Sequence, residues 1–177
     1  SGKFLKKSIN SVISQNYRNW ELIIFDNCST DNTKLEISKF SKNKKIKYFK
    51  SKKFCSLYKA RNLAIKKSKG SLITFLDADD WWLKNKLTKQ VQFIQKNKNL
   101  NVIYSNLFLF DETKNKTSLF SKEKLYNGNI TQSLLNNFKM PILTTMIRKK
   151  IFSKYRFENK YNIIGDFDLF IRISLKE

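Results

Sequence analysis

Three carboxylates crowd the end of one apolar run. In SLITFLDADDWW, residues 71 to 82, the acids Asp77, Asp79 and Asp80 follow directly on LITFL. Charges of one sign held so close repel each other. A hard divalent cation offsets that repulsion, and Mg²⁺ in particular takes one or two carboxylates together with substrate phosphates. A second apolar run, ELIIFD, also ends on an acid, Asp26, followed by Asn27. Two further acids, Asp166 and Asp168, open the segment DFDLFIRISL. The chain has no His, which removes His-based triads, His general bases and His-ligated zinc. Acid–base or metal chemistry here must rest on carboxylates.

Each acid has a plainer reading. Asp79 or Asp80 would serve as the N-cap of a helix starting near Trp81, and Asp166 as the cap of the last helix. Asp168 would be a first-turn acid facing the helix dipole. The D-x-D spacing behind a buried strand, matched by the acid-ended strand upstream, favours a shared site. A phosphatase of the haloacid dehalogenase type would need D-x-D-x-T, and the run Asp77-Ala78-Asp79-Asp80-Trp81 lacks the Thr. None of the 4 Gly stands in a G-x-x-x-x-G-K phosphate loop.

The elements that must position these acids are legible from periodicity. Phe4, Leu5, Ile9, Val12 and Ile13 recur at helical spacing. Glu21 to Asp26 is a short apolar strand, and Asn27 to Thr33 is a turn and helix cap. Leu35 to Phe40 continues as a helix, and Ile46 to Phe49 as a strand. Leu57 to Lys67 is helical, with Gly70 placed to stop it. Ser71 to Asp77 is the second acid-ended strand, and Leu83, Leu87, Val91 and Ile94 mark the helix after it. Val102 to Phe110 reads as one strand ending in a polar turn around DETKNK. Asn129 to Phe138 is a short helix broken at Pro141. Thr144 to Arg148 is a strand, and Asp166 to Leu175 a final helix. This alternation predicts one α/β domain over residues 1–177, with a mostly parallel, Rossmann-like sheet flanked by helices. Parallel strands share one carboxyl edge, where ligands bind, so Asp26 and Asp77 are expected on one rim.

Composition narrows the partners. The 177 residues carry a net charge of +22, from 36 basic and 14 acidic side chains. Such charge would suit nucleic acid or an anionic membrane surface. The Lys residues are scattered along polar faces, however, without a focused Arg-aromatic patch. Compositional bias is the simpler explanation, and nucleic acid is not an expected partner. A basic RNA- or membrane-binding module remains the rival class. No apolar run is long enough to cross a bilayer. Cys28 and Cys55 make no disulfide framework, so reduced thiols and a cytoplasmic setting are expected.

The ordered motifs resemble the family 2 glycosyltransferases, which carry the GT-A nucleotide-sugar fold. The resemblance rests on four blocks in order: FLKKSINSVISQNYRNWELIIFDNCSTDNT, ARNLAIKKSKGSLITFLDADDWW, LNVIYSNLFLF and YNIIGDFDLFIR. It implies an inverting transfer of a sugar from a nucleotide-diphospho-sugar, most simply a UDP-sugar, to a glycan or lipid-linked acceptor in cell-surface polysaccharide synthesis. It implies that Asp26 and Asn27 meet the nucleotide base, with Asn27 standing where Asp is usual. Arg61, within A-R-N, is implied near the base, Asp77 at the ribose, and Asp79 on a Mn²⁺ or Mg²⁺ ion. Asp166 is implied as the catalytic base, with Gly165 in place of a commoner Glu.

Plainer roles stay open at Arg61 (a surface cation), Asn27 (turn shaping) and Trp81 and Trp82 (packing instead of sugar stacking). The alternative is a transferase-like domain that binds without catalysing. Such a protein is expected in the cytoplasm, with the inner face of the plasma membrane as a peripheral site. The resemblance also implies a further strand with a Tyr-Asn turn upstream of Ser1, and further segments after Glu177.

Overall fold

The computed structural model describes residues 2–176. Helix α1 (Gly2–Ile13) buries Leu5, Ile9 and Val12 on one stripe, the spacing that defines an amphipathic helix. Strand β1 (Leu22–Asp26) and β2 (Ile46–Lys50) pair in parallel, Leu22 opposite Ile46 and Asp26 opposite Lys50. The short α2 (Thr33–Ser38) connects them and seats Ile37 against Leu5 and Ile9.

Helix α3 (Leu57–Lys67) is capped by Ser56, whose hydroxyl accepts from the Lys59 N–H. It ends at Ser68, two residues before Gly70, because Ser68 already adopts extended backbone. Strand β3 (Leu72–Thr74) is shorter than its apolar run. Helix α4 (Lys86–Lys96) presents Leu87, Val91 and Ile94 inward.

The expected strand from Val102 to Phe110 divides in two: β4 (Val102–Ile103) and β5 (Phe108–Asp111). Asn106 breaks it. Its amide donates to the Ser121 carbonyl at 2.6 Å and its Oδ1 accepts from the Leu107 and Ser121 N–H groups. The chain therefore leaves the sheet and forms a hairpin with β6 (Lys116–Leu119). Asp111 organises the turn by accepting from Thr113 and Lys114, and Asn115 takes the left-handed conformation at φ 48°.

Helix α5 (Thr131–Asn136) and a 3₁₀ turn at Ile142–Thr144 lead to β7 (Met146–Arg148). Strand β7 lies between β3 and β4 and runs antiparallel to both, so β3 and β4 share one direction. Its side chains alternate, as a pleated strand requires. Ile147 joins Ile73 in a core shared with Leu169 and Phe170, while Met146 joins Ile103, Leu87 and Val91 on the other face. Helices α6 (Ile151–Lys154) and α7 (Gly165–Ser174) close the first of these cores. Burying each such aliphatic side chain contributes roughly 1.5–3 kcal/mol.

Among the described residues β1 pairs only with β2, and β3 only with β7. A slot of about 660 Å³ runs between β1 and β3, from Trp20 and Gly70 at one end to Phe25 and Asp77 at the other.

Candidate active site

Asp77 follows β3 in a tight turn, with the Asp80 N–H donating to the Asp77 carbonyl. Helix α1 fixes this turn from below: the Ser8 hydroxyl donates to the Asp77 carbonyl at 3.3 Å, and the Trp82 N–H donates to the Ser11 hydroxyl at 3.0 Å. Trp82 is buried in the core beside Leu87, so packing explains it. Trp81 remains half-buried, with the Lys7 ammonium 3.1 Å from its ring centroid.

The acids converge through one cation. Arg61 projects from the second turn of α3. It donates from Nη1 to Asp166 Oδ1 at 2.6 Å and from Nη2 to Asp77 Oδ1 at 3.1 Å. The guanidinium lies among the rings of Tyr58, Phe75 and Phe157, 5.6–6.0 Å from their centroids. With only 11% of its side chain exposed, Arg61 is a buried bridge between two acids remote in sequence. Such planar, forked donation is what guanidinium does better than ammonium.

Asp166 stands in the first turn of α7, where the helix dipole favours negative charge. Burial nevertheless pushes its carboxyl above the ordinary Asp value. Arg61 opposes that rise in part, and the Asp77 charge adds to it. Asp80 is also pushed up, by burial first and then by the charges of Asp77 and Asp79. Asp79 itself is exposed. This is an excess of negative charge around an open turn. A divalent cation fits it, with Asp79 the accessible ligand. Among the described residues no three His, Cys, Asp or Glu side chains cluster as a metal site.

The other acid-ended strand is built differently. Asp26 is 5% exposed. Its Oδ2 accepts from the Tyr48 hydroxyl at 2.6 Å and its Oδ1 from the Ser29 N–H at 2.7 Å. Burial raises its carboxyl, but these bonds outweigh burial and hold it below the ordinary value. Tyr48 is correspondingly pushed up to about 12, by burial and then by its bond to Asp26.

Asn27 donates to the Cys55 carbonyl at 2.6 Å and accepts from the Cys55 N–H at 3.0 Å. Its amide matches a peptide group, donor against acceptor on both sides. It thereby ties the β1 turn to the start of the helix that carries Arg61. Cys28 next to it sits at φ 65°, a conformation that costs about 1–2 kcal/mol for a non-Gly residue.

Two supporting residues carry no sequence signal that assigns their role. Asn62, beside Arg61 in A-R-N, grips the Phe157 backbone in both directions, at 2.8 and 3.2 Å. It thereby holds one of the rings under the guanidinium. Tyr58 donates to the Ile163 carbonyl at 2.6 Å and presses against Gly165. A Cβ at residue 165 would meet its ring at 2.5–2.7 Å, so any side chain there would force the Tyr58 ring to shift. Arg148 and Arg172 are structural. Arg148 donates to the Leu100 and Ile94 carbonyls behind α4, and Arg172 donates to Asp168 and the Arg156 carbonyl.

The chain and its fold match known proteins. The family model described as Glycosyl transferase family 2 matches residues 1–156. The sequence is 32% identical over 154 residues to the Escherichia coli UDP-Glc:alpha-D-GlcNAc-diphosphoundecaprenol beta-1,3-glucosyltransferase WfgD, covering 86% of this chain and 58% of that protein. It is 27% identical over 172 residues to the uncharacterized glycosyltransferase MJ1057 of Methanocaldococcus jannaschii, covering 96% of this chain and 59% of that one. The chain therefore spans somewhat over half the length of these relatives. Among solved structures, S. aureus TarS in complex with UDP superposes with a TM-score of 0.70 at 19% identity, over 93% of this chain and 49% of TarS. The Pyrobaculum calidifontis mannosyltransferase PcManGT, in complex with GDP-Man and Mn²⁺, gives 0.68 at 11% identity, over 94% of this chain and 47% of that one.

Proposed function

This chain belongs to glycosyl transferase family 2 and has the GT-A fold, and on that premise we propose that it is the donor-binding and catalytic part of an inverting glycosyltransferase. The donor is a nucleotide-diphospho-sugar, most simply a UDP-sugar. The acceptor is a hydroxyl of a lipid-linked glycan at the cytoplasmic face of the membrane. The observation that supports this best is the Arg61 bridge, which brings the strand-end acid Asp77 and the helix-start acid Asp166 to one place.

Asp77 takes the ribose hydroxyls, and Asn27, with the Asp26 turn behind it, shapes the base end of the cleft. Asp79 holds a Mn²⁺ or Mg²⁺ ion. When bound, that ion supplies positive charge for the departing diphosphate. Asp166 accepts the proton of the attacking hydroxyl. Arg61 engages its Oδ1, leaving Oδ2 for that proton. A carboxylate raised by burial is a better base than an ordinary Asp, and Arg61 keeps it ionised and oriented. Attack on the face opposite the leaving diphosphate inverts the anomeric centre, and orientation supplies much of the rate.

The test is Asp166→Asn in the full-length protein. Transfer is expected to fall about 10²–10⁴-fold, with donor affinity by calorimetry unchanged. Wild-type turnover by this variant would remove Asp166 from the role.

A further inference from the structure

The hairpin of β5 and β6 belongs to neither of the other two sheets. Its two strands pair only with each other among the described residues, and every residue in both is exposed. A two-stranded ribbon has marginal stability in water by itself. Its surface is also unlike a solvated ribbon. The register sets Phe108 opposite Leu119 and Phe110 opposite Thr117, so alternation puts Phe108, Phe110 and Leu119 on one face. These are 55%, 41% and 47% exposed, with Leu109 at 51% on the reverse and Phe120 at 39% beyond. Lys114 and Lys116 lie at the tip together with Asp111 and Glu112, Lys114 being 3.7 Å from Asp111, and Lys122 and Lys124 flank Glu123 just past the base. Large exposed apolar groups bordered by Lys are what a polar–apolar boundary selects: rings and Leu enter the acyl edge while ammonium groups remain among anionic headgroups.

We propose that this hairpin docks the protein on an anionic lipid surface. Charge complementarity selects this occupant. The chain carries +22, and each Lys near an anionic leaflet adds attraction. The position also makes sense of the docking. Phe110 stacks edge-on against Trp81 at 5.8 Å, and Trp81 is two residues beyond Asp79. A hairpin seated among headgroups therefore holds the mouth of the acid cluster at headgroup depth, where the diphosphate of a lipid-linked acceptor lies. This use of the docking rests on the acceptor proposed above; the docking itself does not.

The experiment is flotation of the full-length protein with neutral vesicles and with vesicles of about 30% phosphatidylglycerol, for wild type, Phe108→Asp/Leu119→Asp and Leu35→Asp. Leu35, an exposed apolar residue on α2, controls for placing a carboxylate on an exposed apolar position outside the hairpin. Wild type and Leu35→Asp are expected to float with the anionic vesicles, and the hairpin variant to lose about tenfold or more in partitioning. All three are expected to bind UDP-sugar with Mn²⁺ equally. Equal flotation of the hairpin variant overturns the proposal. So does failure of wild type to float. A fall in sedimentation mass of the hairpin variant with no change in flotation overturns it too, and assigns the face to a second copy. Flotation as expected without donor binding leaves the docking standing and defeats the donor reading instead.

Discussion

The two acid-ended strands look alike in sequence and are opposites in structure. At the end of β1, Asp26 is buried, both its oxygens accept hydrogen bonds, and its carboxyl is held low. At the end of β3, Asp77, Asp79 and Asp80 share one turn. Burial first, and then the charges of Asp77 and Asp79, hold Asp80 high, and of these three acids Arg61 reaches only Asp77. The first turn is electrostatically satisfied by its own chain. The second has Arg61 on Asp77 as the salt bridge to its three acids among the described residues, and it leaves Asp79 exposed for the metal role proposed above. Acid residues at strand ends are thus scaffold or chemistry according to whether donors from the same fold already answer them.

Substitutions at the two turns should separate along that line. Asp79→Ala is expected to have the larger effect, weakening Mn²⁺-dependent donor binding by about 100-fold or more while leaving the melting temperature unchanged. Equal calorimetric affinity with and without Mn²⁺ in wild type would break the comparison. Asp26→Ala is expected to do the reverse. It leaves the Tyr48 hydroxyl and the Ser29 N–H without their acceptor, which costs on the order of 3 kcal/mol, or roughly 10 °C in melting temperature for a domain of this size.

The acid limb of stability should carry the same signature. The folded Asp26 carboxyl lies below its unfolded value of 3.8. Its contribution is therefore full above that value and is lost as pH falls through the folded one. Asp166 has the opposite sign. Its folded value is raised, so its ionisation penalty is absent at low pH and appears as pH rises through that value. Urea midpoints measured from about pH 2 to 5 should thus decline less steeply on the acid side of that unfolded value in Asp26→Asn than in wild type. Parallel curves would show that Asp26 holds no such bond.

Much of this was legible beforehand, for a physical reason. An apolar run ending in D-x-D is a local pattern, and so is the helix placing Arg61 on one face. The partners were not legible. Nothing near Asn62 in sequence announces Phe157, 95 residues away, and nothing near Gly165 announces the Tyr58 ring. The run from Val102 to Phe110 is continuous in hydrophobicity, so only the tertiary bonds of Asn106 reveal that it divides. The place of β7 between β3 and β4 is likewise set by pairing across the fold, which periodicity does not encode. Asn27, Asn62 and Asn106 all use one device: a side-chain amide that stands in for a peptide and grips a distant residue on both its N–H and its C=O.

That device yields the smallest and most discriminating effect, at the boundary between the two turns. Asn27→Asp installs the residue that the resemblance drawn from the sequence expects at this position. A carboxylate still accepts from the Cys55 N–H, but it has no proton for the Cys55 carbonyl and sets a negative charge against it. The variant should lose about 1–2 kcal/mol of stability. Because Cys55 sits just ahead of α3, the loosened contact should also make the start of that helix exchange its amide hydrogens faster, while the amides around Asp79 are unaffected. If the Asp variant is instead as stable as wild type and binds UDP-sugar more tightly, Asn27 faces the nucleotide and not Cys55. The end of β1 would then belong with the chemistry and not with the scaffold.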